Sequence, residues 1–180
     1  MSLTSHTILY SVYMWVFYGL VTFVIMKINI AASWYAMRSA LRDLQAPYGA
    51  LPDILHGVLP EVSIYAPDAA VFLAMMSAVA DADQAIVNRV LLSFMVRPLF
   101  VCSTRLPSPM KKGTYFHTHD LVFSGHTIIF LAAAHVLYGT RSIAPAAVVG
   151  IVGPLLSIAS KQHYTLDVLV AVAVWQATAF

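Results

Sequence analysis

The chain has 180 residues, of which 60% are hydrophobic and only 10% charged, and its mean hydropathy is +0.79. A water-soluble domain carries about 25% charged residues, so the polar surface is too small to cover a soluble globule and an integral membrane protein is expected. The formal charge of +2 is weak and nothing resembles a nucleic-acid footprint, the length suits a single domain over 1–180, and the lone cysteine, Cys102, excludes an intrachain disulfide.

A membrane helix needs roughly 20 mostly apolar residues. The first candidate runs from about Ile8 to Met26, is rich in tyrosine, phenylalanine and tryptophan, and is closed by Lys27. It is too long for a signal peptide, and no small-residue cleavage site follows it. Beyond it Ile30, Trp34, Met37, Leu41 and Leu44 recur at spacings of four and three, with Ser33, Arg38, Arg42 and Asp43 between them. That pattern predicts an amphipathic helix lying in the interface plane. Pro47, Gly49 and Pro52 break it, and the stretch from Ala50 to Pro60 reads as an ordered loop.

The second span is expected at about Val62–Ala80, and the third at Ile86–Thr104 with a kink at Pro98. A polar loop from Arg105 to Thr118 leads into the fourth, Asp120–Tyr138. The fifth, Ile143–Ala159, is rich in small residues that allow close helix approach. The sixth starts near His163. The expected fold class is therefore all-α, with six transmembrane helices and an interfacial helix between the first and second. Spans two, four and six then begin on the same membrane face. Asp53, Arg105, His126 and His163 converge there from distant parts of the chain.

Histidine and aspartate are costly in lipid and mark functional sites. His163 and Asp167 stand four apart, on one helix face. A carboxylate so placed fixes one imidazole nitrogen as N–H and leaves the other as base or nucleophile. His126 lies at a comparable depth, about one turn into span four. Two facing histidines, one backed by aspartate, suit phosphoryl transfer: one attacks phosphorus, the other protonates the departing oxygen. Ser124 and Gly125 fall at a helix start, where backbone N–H groups favour phosphate oxygens. Arg97, Arg105 and Lys161 are candidate phosphate-neutralising cations. Asp53, Asp68 and Asp120 have two open readings each, in the site or shaping the backbone around it as helix caps and turns.

Asp120-Leu-Val-Phe-Ser-Gly-His126-Thr127 and His163-Tyr-Thr-Leu-Asp167-Val168 resemble the two signature motifs of the sphingomyelin synthase family, a branch of the type 2 phosphatidic acid phosphatase superfamily. Leu51-Pro52-Asp53 resembles its upstream Pro-Leu-Pro-Asp motif, and Thr104-Arg105-Leu106-Pro107-Ser108-Pro109 its Thr-Leu-Pro-x-Pro segment. The resemblance implies His163 as nucleophile, Asp167 as its orienting partner and His126 as acid/base, with no metal or cofactor. It implies transfer of a phospho-headgroup from a phospholipid to a lipid alcohol of ceramide or diacylglycerol type. The phosphatases' Lys-x6-Arg-Pro motif is only half present, as Arg97-Pro98, and serine stands at 157; both favour the synthase branch. A phosphatase or phospholipase C-type hydrolase using the same histidines is the alternative, and a non-catalytic lipid-binding or scrambling protein is a third reading.

Expected partners are membrane lipids; a homo-oligomer is left open. His117, His119 and His126 could form a metal site, but no tight zinc-ligand spacing supports one. His6 and His56 read as interfacial, and His135 as packed on a polar partner. Counting lysine and arginine places the active face in the cytoplasm, whereas the resemblance places it on the exoplasmic or periplasmic side. The latter is the expectation adopted.

Overall fold

The computed structural model describes residues 3–42, 53–104 and 121–179. Every described regular element is helical: α1 (Leu3–Arg42), α2 (Ile54–Val58), α3 (Ala66–Ala78), α4 (Gln84–Ser103), α5 (Gly125–Thr140), α6 (Ile143–Ala147), a π-helical turn (Val148–Val152), α7 (Gly153–Ala159) and α8 (Thr165–Ala177). Helix thus occupies each of the six apolar segments. Two of them, Val16–Tyr35 and Gln84–Ser103, are long and apolar enough to cross a membrane by themselves.

Two sequence expectations need correction. The first helix does not stop at Lys27, and no separate interfacial helix follows it: α1 is continuous for 40 residues, about 60 Å. The reason is local. Between Leu20 and Ala46 there is neither glycine nor proline, and one lysine does not interrupt a helix. The stretch after Pro52 is not wholly a loop either. Asp53 accepts from the N–H groups of Leu55 (3.0 Å) and His56 (3.3 Å), and this cap starts α2.

α5 is the central element. Ile128, Phe130, Ala132, Ala133 and Val136 lie buried among Ala74 and Ala78 of α3, Ile86 of α4, and Ala171 and Trp175 of α8. The α6–π–α7 segment crosses α5 where glycines remove the obstacle. A Cβ on Gly150 would come within 3.1 Å of Ala134 Cβ, and one on Gly153 would strike the Phe130 ring. The π-helical turn contains Gly150 and ends just before Gly153, displacing the helix register by one residue where Gly-Pro follows.

α1 packs on α4. Tyr18 donates to Asn88 Oδ1 (3.0 Å) and accepts from Gln84 (2.6 Å) at one end of that contact; Asn29 works near the other. Outward-facing positions are apolar along the long helices, as at Leu20, Phe23, Phe72, Met76, Leu99 and Ile151. Large contiguous apolar surfaces of this kind are rare on monomeric soluble proteins.

The helices alternate in direction, so polar residues gather at two ends. At one end Arg89 stacks over the Trp175 ring (3.9 Å to its centroid) and donates to the Trp175 carbonyl, and Arg141 reaches the Ser77 carbonyl. At the other, the N-termini of α3, α5 and α8 meet.

Candidate active site

Each of those three N-termini carries an ionisable side chain in its first turn: Asp68 on α3, His126 on α5, Asp167 on α8. His163 stands just before α8. Its backbone N–H donates to the Ser157 carbonyl (3.2 Å), which fixes the turn between α7 and α8.

His163 Nδ1 donates to Asp167 Oδ2 at 3.1 Å. Asp167 is fully buried and accepts two further bonds, from Val122 N–H (2.8 Å, on Oδ1) and Tyr164 N–H (3.0 Å, on Oδ2). Three donors hold the carboxylate in one orientation, and the carboxylate holds the imidazole. With the proton kept on Nδ1, the Nε2 lone pair is left for chemistry. Val122 adopts φ 74°, a left-handed conformation unusual for a β-branched residue. That conformation goes with the aim of its N–H at Asp167, a local strain of the kind found at functional sites.

His126 is the second residue of α5, closer to the helix end than the sequence suggested, because α5 begins at Gly125. Its Nε2 donates to Asp68 Oδ1 at 2.9 Å. The His126 and His163 ring centroids are 6.0 Å apart at an interplanar angle of 66°. Each histidine therefore has its own carboxylate. One pair is sealed and the other open: Asp167 is 0% exposed, whereas the Asp68 side chain is 50% exposed.

Ser124, Gly125, Arg97 and Lys161 are engaged as follows. Ser124 caps α5, its Oγ accepting from Thr127 N–H (3.2 Å) while its own N–H donates to the Asp167 carbonyl (3.2 Å). Its hydroxyl therefore serves the helix end. Gly125 faces Phe94 and Arg97: a Cβ there would lie 3.3 Å from the Phe94 ring and 3.7 Å from Arg97 Nε. Arg97 is buried and donates to Asn29 Oδ1 (2.8 Å). The Lys161 ammonium sits on Glu61 Oε2 (3.0 Å) at a partly exposed position. Arg105, Asp120, His117 and His119 lie outside the described residues.

Asp53 does two jobs. Besides capping α2 it accepts from Thr165 N–H (2.6 Å) and Thr165 Oγ1 (2.7 Å), joining the start of α8 to a segment 112 residues earlier. Burial opposes ionisation of this carboxyl, but the bonds from Thr165 and His56 and the neighbouring His56 ring outweigh it and hold its pKa below the usual 3.8. His56, read from the sequence as interfacial, donates from Nε2 to the His163 carbonyl (3.0 Å) and stacks near Tyr164. Val62 N–H donates to the Ala159 carbonyl, and Gln162 to the Ile64 carbonyl. Residues 53–64 thus strap the turn that presents His163. His135, expected on a polar partner, lies edge-on to the Trp175 ring instead.

Residues 118–180 match the family model described as PAP2 superfamily C-terminal. No curated protein matches the chain. The matched stretch carries both histidines and Asp167. It supports the type 2 phosphatidic acid phosphatase superfamily and does not resolve the sphingomyelin synthase branch within it. It leaves out Asp68, Arg97, Asn29 and the strap, which lie earlier in the chain.

Proposed function

We propose that the protein is a multi-pass membrane enzyme that transfers a phospho-headgroup from a phospholipid to a lipid alcohol through a phosphohistidine intermediate. The observation that carries the reading is the pair of facing imidazoles, each on its own aspartate, where three helix N-termini converge. Helix N-termini favour anions, and their partial charges add to that of Arg97. Such a place suits a phosphate ester.

In the first step His163 Nε2 forms a bond to phosphorus as the bond to the departing lipid oxygen breaks. A protonated His126 gives its proton to that oxygen, which leaves as diacylglycerol. In the second step His126 takes the proton of the acceptor hydroxyl, the acceptor oxygen bonds to phosphorus, and the P–N bond breaks. Asp167 balances the charge that develops on His163, and Asp68 balances that on His126. The apolar outer surface and the two long apolar helices support placement of the site at a membrane face, with the exoplasmic or periplasmic side as the proposed orientation. The half-exposed Asp68 favours a second reading, in which water replaces the lipid alcohol and the same residues act as a phosphatase or phospholipase C-type hydrolase.

The test is incubation of purified protein with fluorescent ceramide, fluorescent diacylglycerol and a phospholipid panel in EDTA, beside His163→Ala. A new phospholipid that disappears in the mutant supports transfer. Headgroup or phosphate release alone moves the assignment to the hydrolase. Turnover that survives in His163→Ala refutes both.

A further inference from the structure

Pro98 has no N–H, so the carbonyl of Phe94, four residues back in α4, loses its helical partner. The structure fills that vacancy from another helix. Asn29 of α1 donates from Nδ2 to the Phe94 carbonyl at 2.9 Å, and shares the same amide group with the Ile25 carbonyl in its own helix, also at 2.9 Å. With its nitrogen so committed, Asn29 must turn its oxygen the other way. Oδ1 accepts from Arg97 Nη1 at 2.8 Å. Asn29 is 6% exposed and Arg97 8%. Arg97 in turn lies beside Gly125, one residue before His126.

We infer that Asn29 is a positioning residue: docked on the carbonyl freed by Pro98, it aims the Arg97 guanidinium at the phosphate bound between His126 and His163. The inference rests on the phosphoryl-transfer reading above and extends it to a helix outside the matched stretch. Arginine has a long, flexible stem, and its rotamer freedom must be removed before its charge is useful at one point. A neutral acceptor removes that freedom without cancelling the charge, which an aspartate in place of Asn29 would do. The asparagine also needs both ends of its amide, so leucine, which has the same number and branching of side-chain heavy atoms but no polar end, deletes the device without emptying the site.

The experiment uses the full chain in detergent, with inorganic phosphate as the probe, read as the phosphate-dependent rise of the thermal midpoint. A hydrogen bond to a charged group predicts that Asn29→Leu raises the half-saturating phosphate concentration by about tenfold. In an Arg97→Lys background the same change should do almost nothing, because the two residues act as one unit. Turnover of a short-chain phospholipid should show KM rising more than kcat falls. If Asn29→Leu does not fold, Asn29→Ser carries the same comparisons. Equal phosphate affinity in wild type and variant, or equal losses with Arg97 intact and in the Arg97→Lys background, overturns the inference alone. A wild type that does not respond to phosphate overturns the phosphoryl-transfer reading, and the inference with it.

Discussion

Replacing Asp167 by asparagine separates the two roles of that carboxylate. The amide has one oxygen and must choose where to put it. With the oxygen at the Oδ2 position it keeps His163 Nδ1–H (3.1 Å) and Tyr164 N–H (3.0 Å), and its NH2 then confronts Val122 N–H across 2.8 Å. The opposite flip confronts two donors, so the first arrangement wins. One buried N–H is left without an acceptor, at a cost of about 1–3 kcal/mol. The tautomer of His163 survives, but its partner is now neutral. Charge-assisted hydrogen bonds are about twice as strong as neutral ones, a difference of about 1–1.5 kcal/mol, so turnover should fall about five- to tenfold. Asp167→Ala should fall further, because the imidazole then loses its orientation too. Stability is read by SDS unfolding in mixed micelles, and the chemical step by turnover together with acid-labile phosphate on the protein. An Asp167→Asn protein as stable as wild type would refute the three-donor account; one with full turnover would refute the role of the charge.

Three further outcomes are expected. Gly153→Ala puts a methyl group into the Phe130 ring, which is 1% exposed and cannot withdraw; unfolding free energy should drop by about 1–3 kcal/mol, and Phe130→Leu in the same chain should restore part of it. Lys161 has φ 58°, so Lys161→Gly removes a conformational penalty of roughly 1 kcal/mol while losing an exposed ion pair worth at most about as much. That variant should unfold near the wild-type value and keep its turnover; a collapse of turnover would mean that the ammonium contacts phosphate. Asp53 has a depressed folded pKa, so its carboxylate contributes stability above the unfolded value of 3.8 and that contribution fades as pH falls through the lower folded value. Asp53→Asn should therefore be less stable than wild type at pH 6, with the gap closing below pH 3.8; a gap independent of pH would show that the charge is irrelevant to the clamp.

The chemistry was legible in the sequence where it was local, and illegible where it was not. The spacing of four between His163 and Asp167 announced their contact, but not its form: α8 starts at Thr165, so the imidazole reaches the carboxylate from the turn before the helix and not along one helix face. The small-residue character of 143–159 was likewise written in single residues, whereas Ser124, read as a phosphate ligand, turns its hydroxyl to capping α5. Asp68 was ambiguous because a carboxylate just after a proline at a helix start is as good a cap as a catalytic partner, and only the neighbouring helix decides. Asn29 gave no signal at all, being one polar residue in an apolar run. Its meaning comes from Pro98, far along the chain in another helix, whose missing N–H leaves a carbonyl for it to find. The false break at Lys27 came from reading a charge as a terminus, although the residues that terminate helices first appear at Pro47.

The link between Asp53 and Thr165 also bears on how the protein is made. Chains emerge N-terminus first and their parts fold as they appear. Asp53, Asp68, Asn29, Arg97, Val122 and His126 are all synthesised before α8. His163 follows them directly ahead of α8, and the carboxylate that holds it, which Val122 N–H also requires, comes only with α8. Until α8 docks, that N–H lacks its acceptor and the strap of residues 53–64 has nothing to grip. On the proposed mechanism both histidines are therefore present before the last described helix docks, and His163 gains its orienting carboxylate only when Asp167 arrives with that helix.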